Sequence, residues 1–264
     1  ARLRGVVRES DTVARFGGDE FVILLELLAE SADEALLAAR RVADKLLHEL
    51  GRPYRLEGLD RKCTASLGMV IFNGHGHTVD ELMQRADLSM YEAKRSGKNT
   101  VREFDPQMRT ELADRLELEA ELRAALGTGA FVIHLQPQLD AGGRLVGAEA
   151  LLRWNRAGHG VAPPGLFIPI AEQAGLMPAL GREAMALACE ELARWVELSG
   201  HDSLVMAVNV SAAQIYEPGF VEEVIALLAR TGAPAECLKL ELTESLLLTD
   251  IERAIEAMTR LREM

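Results

Sequence analysis

From Phe131 onward the chain alternates apolar, β-prone runs with helical patterns, and this alternation restricts the fold more than any other feature. Leu145 to Leu151, Leu204 to Val210 and Cys237 to Leu242 read as strands, and Arg182 to Glu197, Phe220 to Ala229 and Ile251 to Arg262 as helices. Strand followed by helix, repeated, signals parallel βα units. Glu149, Asn209 and Glu241 each fall at or near the C-terminal end of a predicted strand, where a (β/α) barrel carries its active site. Three oxygen ligands converging on that rim suit Mg2+ or Mn2+. Taken singly, each is equally well explained as a capped strand end.

The first half has a different centre. Val13 to Phe16 and Phe21 to Leu25 read as two strands, the second buried, and Gly17-Gly18 between them as a tight turn that tolerates positive φ. A turn without side chains lets a bulky anion lie against its backbone, while Asp19 and Glu20 offer hard oxygen ligands for Mg2+. That outlines a nucleotide triphosphate site; an ordinary hairpin with two solvated acids is the alternative. Ser31, with Glu34 three residues on, opens a helix as a capping box, and Leu50-Gly51 closes it. Val79 to Ser96 reads as a second helix. Lys94 and Lys98, four apart across its end, are placed to meet a triphosphate, or simply to complement the helix macrodipole. The loop Asn73-Gly74-His75-Gly76-His77 has no acidic or cysteine partner beside it and is not expected to bind metal. Gln107 to Leu126 forms a further helix, either a spacer between two domains or the first helix of the second.

Composition bounds these readings. With 264 residues, 48% of them hydrophobic, the chain is long enough for two compact domains. Its net charge of -12 argues against a nucleic-acid duplex as partner, which demands a basic face. Cys63, Cys189 and Cys237 form no CxxC, so reduced thiols in a cytoplasmic setting are expected. No apolar run is long enough to span a bilayer, so any membrane attachment is expected through regions outside this chain.

Two resemblances sharpen the picture. Arg15-Phe16-Gly17-Gly18-Asp19-Glu20-Phe21 resembles the signature of the GGDEF family, the diguanylate cyclases, which join two GTP molecules into cyclic di-GMP. Arg8-Glu9-Ser10-Asp11 upstream resembles that family's inhibitory product site. Thr64-Ala65-Ser66-Leu67-Gly68 looks like its next core strand, and Ala86-Asp87 with Tyr91 to Asn99 like its closing helix and phosphate-contacting turn. Glu149-Ala150-Leu151-Leu152-Arg153-Trp154 resembles the motif of the EAL phosphodiesterases, which hydrolyse cyclic di-GMP to the linear dinucleotide pGpG. Leu135-Gln136-Pro137 looks like that family's first strand, and Phe167-Ile168-Pro169 with Ala171-Glu172 like its substrate-side loop. Asn209-Val210-Ser211 and Leu240 to Ser245 look like its next metal-bearing strands.

The resemblances imply an α/β chain: a partial GGDEF domain over 1–104, with a nucleotide-cyclase-like α+β sheet and flanking helices, a connecting helix over 105–129, and a partial EAL (β/α) barrel over 130–264. They also imply roles. In the first half, Asp19 and Glu20 would hold metal and act in catalysis, Gly17, Gly18, Lys94 and Lys98 would bind GTP, and Arg8 and Asp11 would form the inhibitory site. Arg41 is either that site's second arginine or a solvated surface residue. In the second half, Glu149, Asn209 and Glu241 would hold Mg2+ or Mn2+, with Glu149 and Glu241 catalytic, Gln136 and Arg153 would contact substrate, and Glu244 would support the following loop. Water activated at that metal site would attack the phosphodiester in line. Two cyclase half-sites must face each other, which implies a homodimer. The family's first metal-binding Asp would precede Ala1, and its later Asp-Asp pair, Lys, Glu and Gln would follow Met264. The chain is therefore expected to be truncated at both ends and weak or inactive by itself. The competing expectation is a receptor that binds nucleotide without turnover.

Overall fold

The computed structural model describes residues 2–74, 76–198, 204–242 and 251–263. The chain divides into two compact units, 1–114 and 115–264.

In the first unit, a single 3₁₀ turn at Leu3–Gly5 precedes β1 (Thr12–Gly17) and β2 (Glu20–Leu24), an antiparallel hairpin. The second strand was expected to be buried, yet Phe21 is 51% and Leu24 40% exposed. The reason is topological, because the hairpin forms a two-stranded sheet of its own. Helix α1 (Ala32–Gly51) starts at Ser31, whose side chain accepts from the Glu34 amide, and buries Ala35, Ala39, Ala43 and Leu46 along one face. A short hairpin of β3 (Tyr54–Leu56) and β4 (Leu59–Arg61) follows, then β5 (Leu67–Met69), α2 (Val79–Arg95) and β6 (Val101–Glu103). Strands β5 and β6 pair in parallel with α2 between them in sequence. Helix α2 lies directly on β5: a Cβ at Gly68 would stand 2.1 Å from the Ala86 carbonyl oxygen. Thr78 and Glu81 close a full capping box at its start. Helix α3 (Gln107–Ala125) follows and contains the boundary between the units.

The second unit is built on one sheet in the order β11-β10-β8-β7, with β9 paired to β8. Its strands are β7 (Phe131–Leu139), β8 (Leu145–Arg156), β9 (Gly160–Ala162), β10 (Val205–Val210) and β11 (Leu238–Leu242). Pairing of β8, β10 and β11 is parallel, as the alternation predicts, but β7 runs antiparallel to β8 because a hairpin turn at 140–144 joins them directly. Strand β8 is also longer than predicted. Only its residues 147–150 pair with β10, and the remainder extends into a hairpin with β9.

Helices α4 (Pro164–Gln173), α5 (Met177–Glu197), α6 (Ala212–Ile215), α7 (Phe220–Thr231) and α8 (Ile251–Arg262) complete the unit. The segment around Phe167 and Glu172, expected as a loop, is helix α4. Pro164 suits its first turn, and Phe167, Ile170 and Ala171 are buried, which outweighs the break that Pro169 would otherwise impose. Helix α5 begins ahead of its predicted start and runs through Gly181, where a Cβ would lie 1.8 Å from the Gln214 amide nitrogen. The glycine is what lets the buried Gln214 side chain seat against the helix.

Two apolar clusters line the covered face of this sheet. Phe131, Trp154 and Phe167 sit with ring centroids 6.0 Å apart in each pair, joined by Leu118 and Leu122 of α3 and Leu180 of α5. Met206, Val208 and Val210 of β10 pack with α5, α7 and α8 in the other cluster. Because side chains alternate along a strand, fixing these residues against the helices turns Glu149, Asn209 and Glu241 to the opposite face.

Candidate functional site

The face of the second sheet opposite these clusters collects the polar residues. The register sets Glu149 beside Ala207 and Asn209 beside Glu241, while the antiparallel ladder sets Gln136 beside Glu149. The Asn209 amide Nδ2 donates to Glu149 Oε1 at 2.6 Å. Glu241 is on the neighbouring strand, about 4.8 Å across the ladder at the backbone. Its carboxylate Oε1 accepts from the Lys239 ammonium at 2.7 Å. Arg153 shares the parity of Glu149 on β8; it is half-buried, and its Nη1 donates to the Leu152 carbonyl at 2.9 Å. Glu244 lies outside the described residues.

Two carboxylates and one amide carbonyl on adjacent strands make a hard, all-oxygen donor set of the kind Mg2+ and Mn2+ take, without soft or nitrogen ligands. No group of three or more His, Cys, Asp and Glu positioned for a metal occurs among the described residues, and Asn209 is of none of these types. Sequence reasoning passed over Lys239, and His134 on β7, which shares the parity of Gln136. Their signal was the period-two pattern itself: Lys239 is two residues from Glu241, and His134 two from Gln136.

The first unit presents its candidates at exposed positions, except Asp11, which is half-buried. Gly18, at φ 47, and Asp19 form the tip of the β1–β2 hairpin, with Gly17 paired to Glu20. The Arg15 Nε closes the turn by donating to the Gly18 carbonyl at 2.9 Å. Asp19 and Glu20 are exposed beyond it. Lys94 lies in the last turn of α2, which ends at Arg95, so Lys98 does not continue the helix. Instead Gly97, Lys98 and Asn99 turn the chain with φ of 101, 59 and 47. The two lysines thus flank a left-handed turn rather than sharing a helix face. Asp11 is committed to backbone: its carboxylate accepts from the Arg8 amide at 2.8 Å and the Glu26 amide at 3.2 Å. No ion pair joins the Arg8 guanidinium to Asp11 among the described residues, and Arg8 and Arg41 are both exposed. His77, in the histidine loop, stands beside Arg85, with its Nδ1 3.8 Å from Glu81. No helix among the described residues is long and apolar enough to cross a membrane.

Comparison with known proteins matches this division. The EAL domain profile matches residues 119–264, and that of the diguanylate cyclase GGDEF domain residues 1–100. Over all 264 residues the chain is 38% identical to the bifunctional diguanylate cyclase/cyclic di-GMP phosphodiesterase MucR of Pseudomonas aeruginosa. It is 34% identical to the cyclic di-GMP phosphodiesterase NbdA of the same organism. It spans 38% of the first protein and 33% of the second. Among solved structures, the MucR phosphodiesterase in complex with c-di-GMP superposes with a TM-score of 0.52 at 36% identity, over 56% of this chain and 60% of that one. The FimX EAL domain of Xanthomonas citri in complex with c-diGMP gives 0.52 at 27% identity, over 59% of this chain and 60% of that one. The chain therefore belongs to the EAL domain family and carries, ahead of that domain, a GGDEF domain sequence.

Proposed function

We propose that this chain is part of an enzyme of cyclic di-GMP turnover whose second unit hydrolyses cyclic di-GMP to pGpG. The observation that carries the reading is the contact between Glu149 and Asn209 with Glu241 in register beside them, three oxygen-bearing side chains brought to one rim from β8, β10 and β11. Glu149, Asn209 and Glu241 would hold Mg2+ or Mn2+, which supplies charge neutralisation at the phosphodiester and a more acidic water. Gln136, level with Glu149, and Arg153 on the same face would orient the dinucleotide, the guanidinium pairing with phosphate. Similarity to MucR and NbdA supports the substrate and the reaction.

In the first unit, Gly17 and Gly18 would receive the GTP phosphates, Asp19 and Glu20 the metal, and Lys94 and Lys98 the triphosphate charge. Two copies would face each other for condensation. Arg8, Asp11 and Arg41 would bind product as an inhibitor. Here the carboxylate of Asp11 would act mainly by shaping the turn that presents Arg8, since both its oxygens accept backbone amides.

The test is incubation of the chain with cyclic di-GMP and Mn2+, and separately with GTP and Mg2+, with products separated by chromatography and nucleotide binding measured by calorimetry. Linear pGpG that disappears in Glu149→Gln supports the hydrolase. The same assays are run on the complete protein as well: binding of cyclic di-GMP without product in both favours the receptor, and neither binding nor product in the complete protein refutes both.

A further inference from the structure

Lys239 and Glu241 lie two apart on β11, so both face the candidate metal rim, with the Lys239 Nζ 2.7 Å from Glu241 Oε1. In the ladder Lys239 is level with Ala207, whose neighbour in turn is Glu149, so the row reads Glu149, Ala207, Lys239. Ala207 carries a single methyl group between the two charged residues and leaves the lysine stem free to lean along the strand toward Glu241. No other basic side chain forms an ion pair with Glu149 or Glu241 among the described residues. The carboxylate proposed as a metal ligand thus already has a cation on it, supplied by its own strand.

We propose that Lys239 is a built-in counter-ion that competes with the divalent cation for Glu241 and so sets the metal affinity of the site. This inference rests on the metal-site reading above. Its logic is electrostatic. A divalent ion taking Glu241 must displace the ammonium, and a four-carbon tether keeps that positive charge within several ångströms of the incoming ion. The pair can be displaced: Lys239 is 57% and Glu241 30% exposed, so water solvates the ammonium once it leaves. The opposite role, a lysine that holds Glu241 in position for the metal, predicts the opposite sign on removal.

The experiment is Mn2+ titration by calorimetry of the 264-residue chain, comparing the unaltered protein with Lys239→Met and Lys239→Arg. Methionine keeps the stem and removes the charge; arginine keeps the charge. Lys239→Met is expected to tighten Mn2+ binding about tenfold, and Lys239→Arg to stay within about threefold of the unaltered chain. Mn2+ should also raise the thermal midpoint further in Lys239→Met at equal metal concentration. Should Lys239→Met fail to fold, Lys239→Gln serves the same comparison. Equal or weaker Mn2+ binding by the uncharged variant overturns the competition. If the unaltered chain itself binds no Mn2+, the metal-site reading falls, and this inference with it.

Discussion

Asn209 donates through Nδ2 to Oε1 of Glu149 across 2.6 Å, although 60 residues separate the two in sequence. They meet because β8 and β10 are ladder neighbours and Asn209 stands two residues beyond Ala207, the register partner of Glu149. With its NH2 donating to Glu149, the amide would turn its carbonyl oxygen to the cation of the proposed metal site, next to the strand that carries Glu241. One side chain would thereby fix a carboxylate and offer a ligand of its own.

Asn209→Leu removes the donor and the carbonyl together. Mn2+ affinity should fall by about tenfold or more, and because Asn209 is exposed, stability should change by no more than about 0.5 kcal/mol. Calorimetric titration alongside thermal denaturation separates the two effects. A variant that binds Mn2+ as tightly as the unaltered chain would remove Asn209 from the ligand set.

The two units should also fail separately. Trp154 and Trp195 are the chain's two tryptophans and both belong to the second unit, so tryptophan fluorescence follows that unit. A Cβ at Gly68 would meet the backbone of α2, 2.1 Å from Ala86 O and 2.4 Å from Met90 N; one at Gly147 would lie 2.1 Å from Val205 O. Backbone cannot yield as a flexible side chain can, and each Gly→Ala change should destabilise its own unit by more than about 2 kcal/mol. In urea, Gly147→Ala should shift the fluorescence transition. Gly68→Ala should leave it in place while a larger part of the helical signal is lost at lower urea.

How much of this was legible in the sequence depended on which force fixed each element. Helices α1 and α2 declare themselves through caps and periodicity and α8 through its apolar pattern, and their bounds fall within a residue or two of the predicted ones. The position of Asn209 and Glu241 near the C-terminal ends of β10 and β11 was legible too, whereas Glu149 stands at the end of only the part of β8 that pairs with β10, because the strand runs on to Arg156. Helix α4 was not, because Pro163, Pro164, Gly165 and Pro169 carry loop signals locally and only burial of Phe167 against Phe131 and Trp154 resolves them. Nor was the exposure of β2, since apolar composition reports what a strand is able to bury, not whether a neighbour is there to cover it. The partner of Glu241 stands two residues away as Lys239, but a lysine at that spacing reads equally as a solvated side chain until its contact with the carboxylate is seen.

Thiol chemistry should distinguish the three cysteines. Cys63 is exposed, whereas Cys189 and Cys237 are buried. Burial, aided by the neighbouring Glu190 carboxylate and opposed by Arg230, pushes the Cys189 thiol up to about 11. At pH 8 the folded chain therefore holds about one Cys189 in a thousand as thiolate, and its labelling should rise only as the pH approaches 11. Iodoacetamide at pH 8 followed by peptide mass spectrometry should find Cys63 modified and Cys189 spared; in urea all three should react. Early modification of Cys189 in the folded chain would contradict the packing of α5 against the sheet.

Arg2 offers a test of how the first unit holds its opening residues. Its guanidinium donates to the carbonyls of Glu49 at 3.0 Å, Arg52 at 2.5 Å and Pro53 at 2.6 Å, and lies 3.6 Å from the centroid of the Tyr54 ring. Carbonyls at a helix C-terminus have no intrahelical donors, and a cation there also meets the negative end of the macrodipole. A planar guanidinium satisfies several carbonyls while stacking on the ring, which an ammonium cannot reproduce. Arg2→Met should cost the end of α1 about 1–2 kcal/mol, seen as roughly tenfold faster hydrogen exchange over residues 46–54 with the rest of α1 unchanged. Arg2→Lys should recover only part of the protection, because it restores the charge without the fork. Full recovery by lysine would show that the macrodipole, not the hydrogen-bond geometry, holds the opening residues to α1.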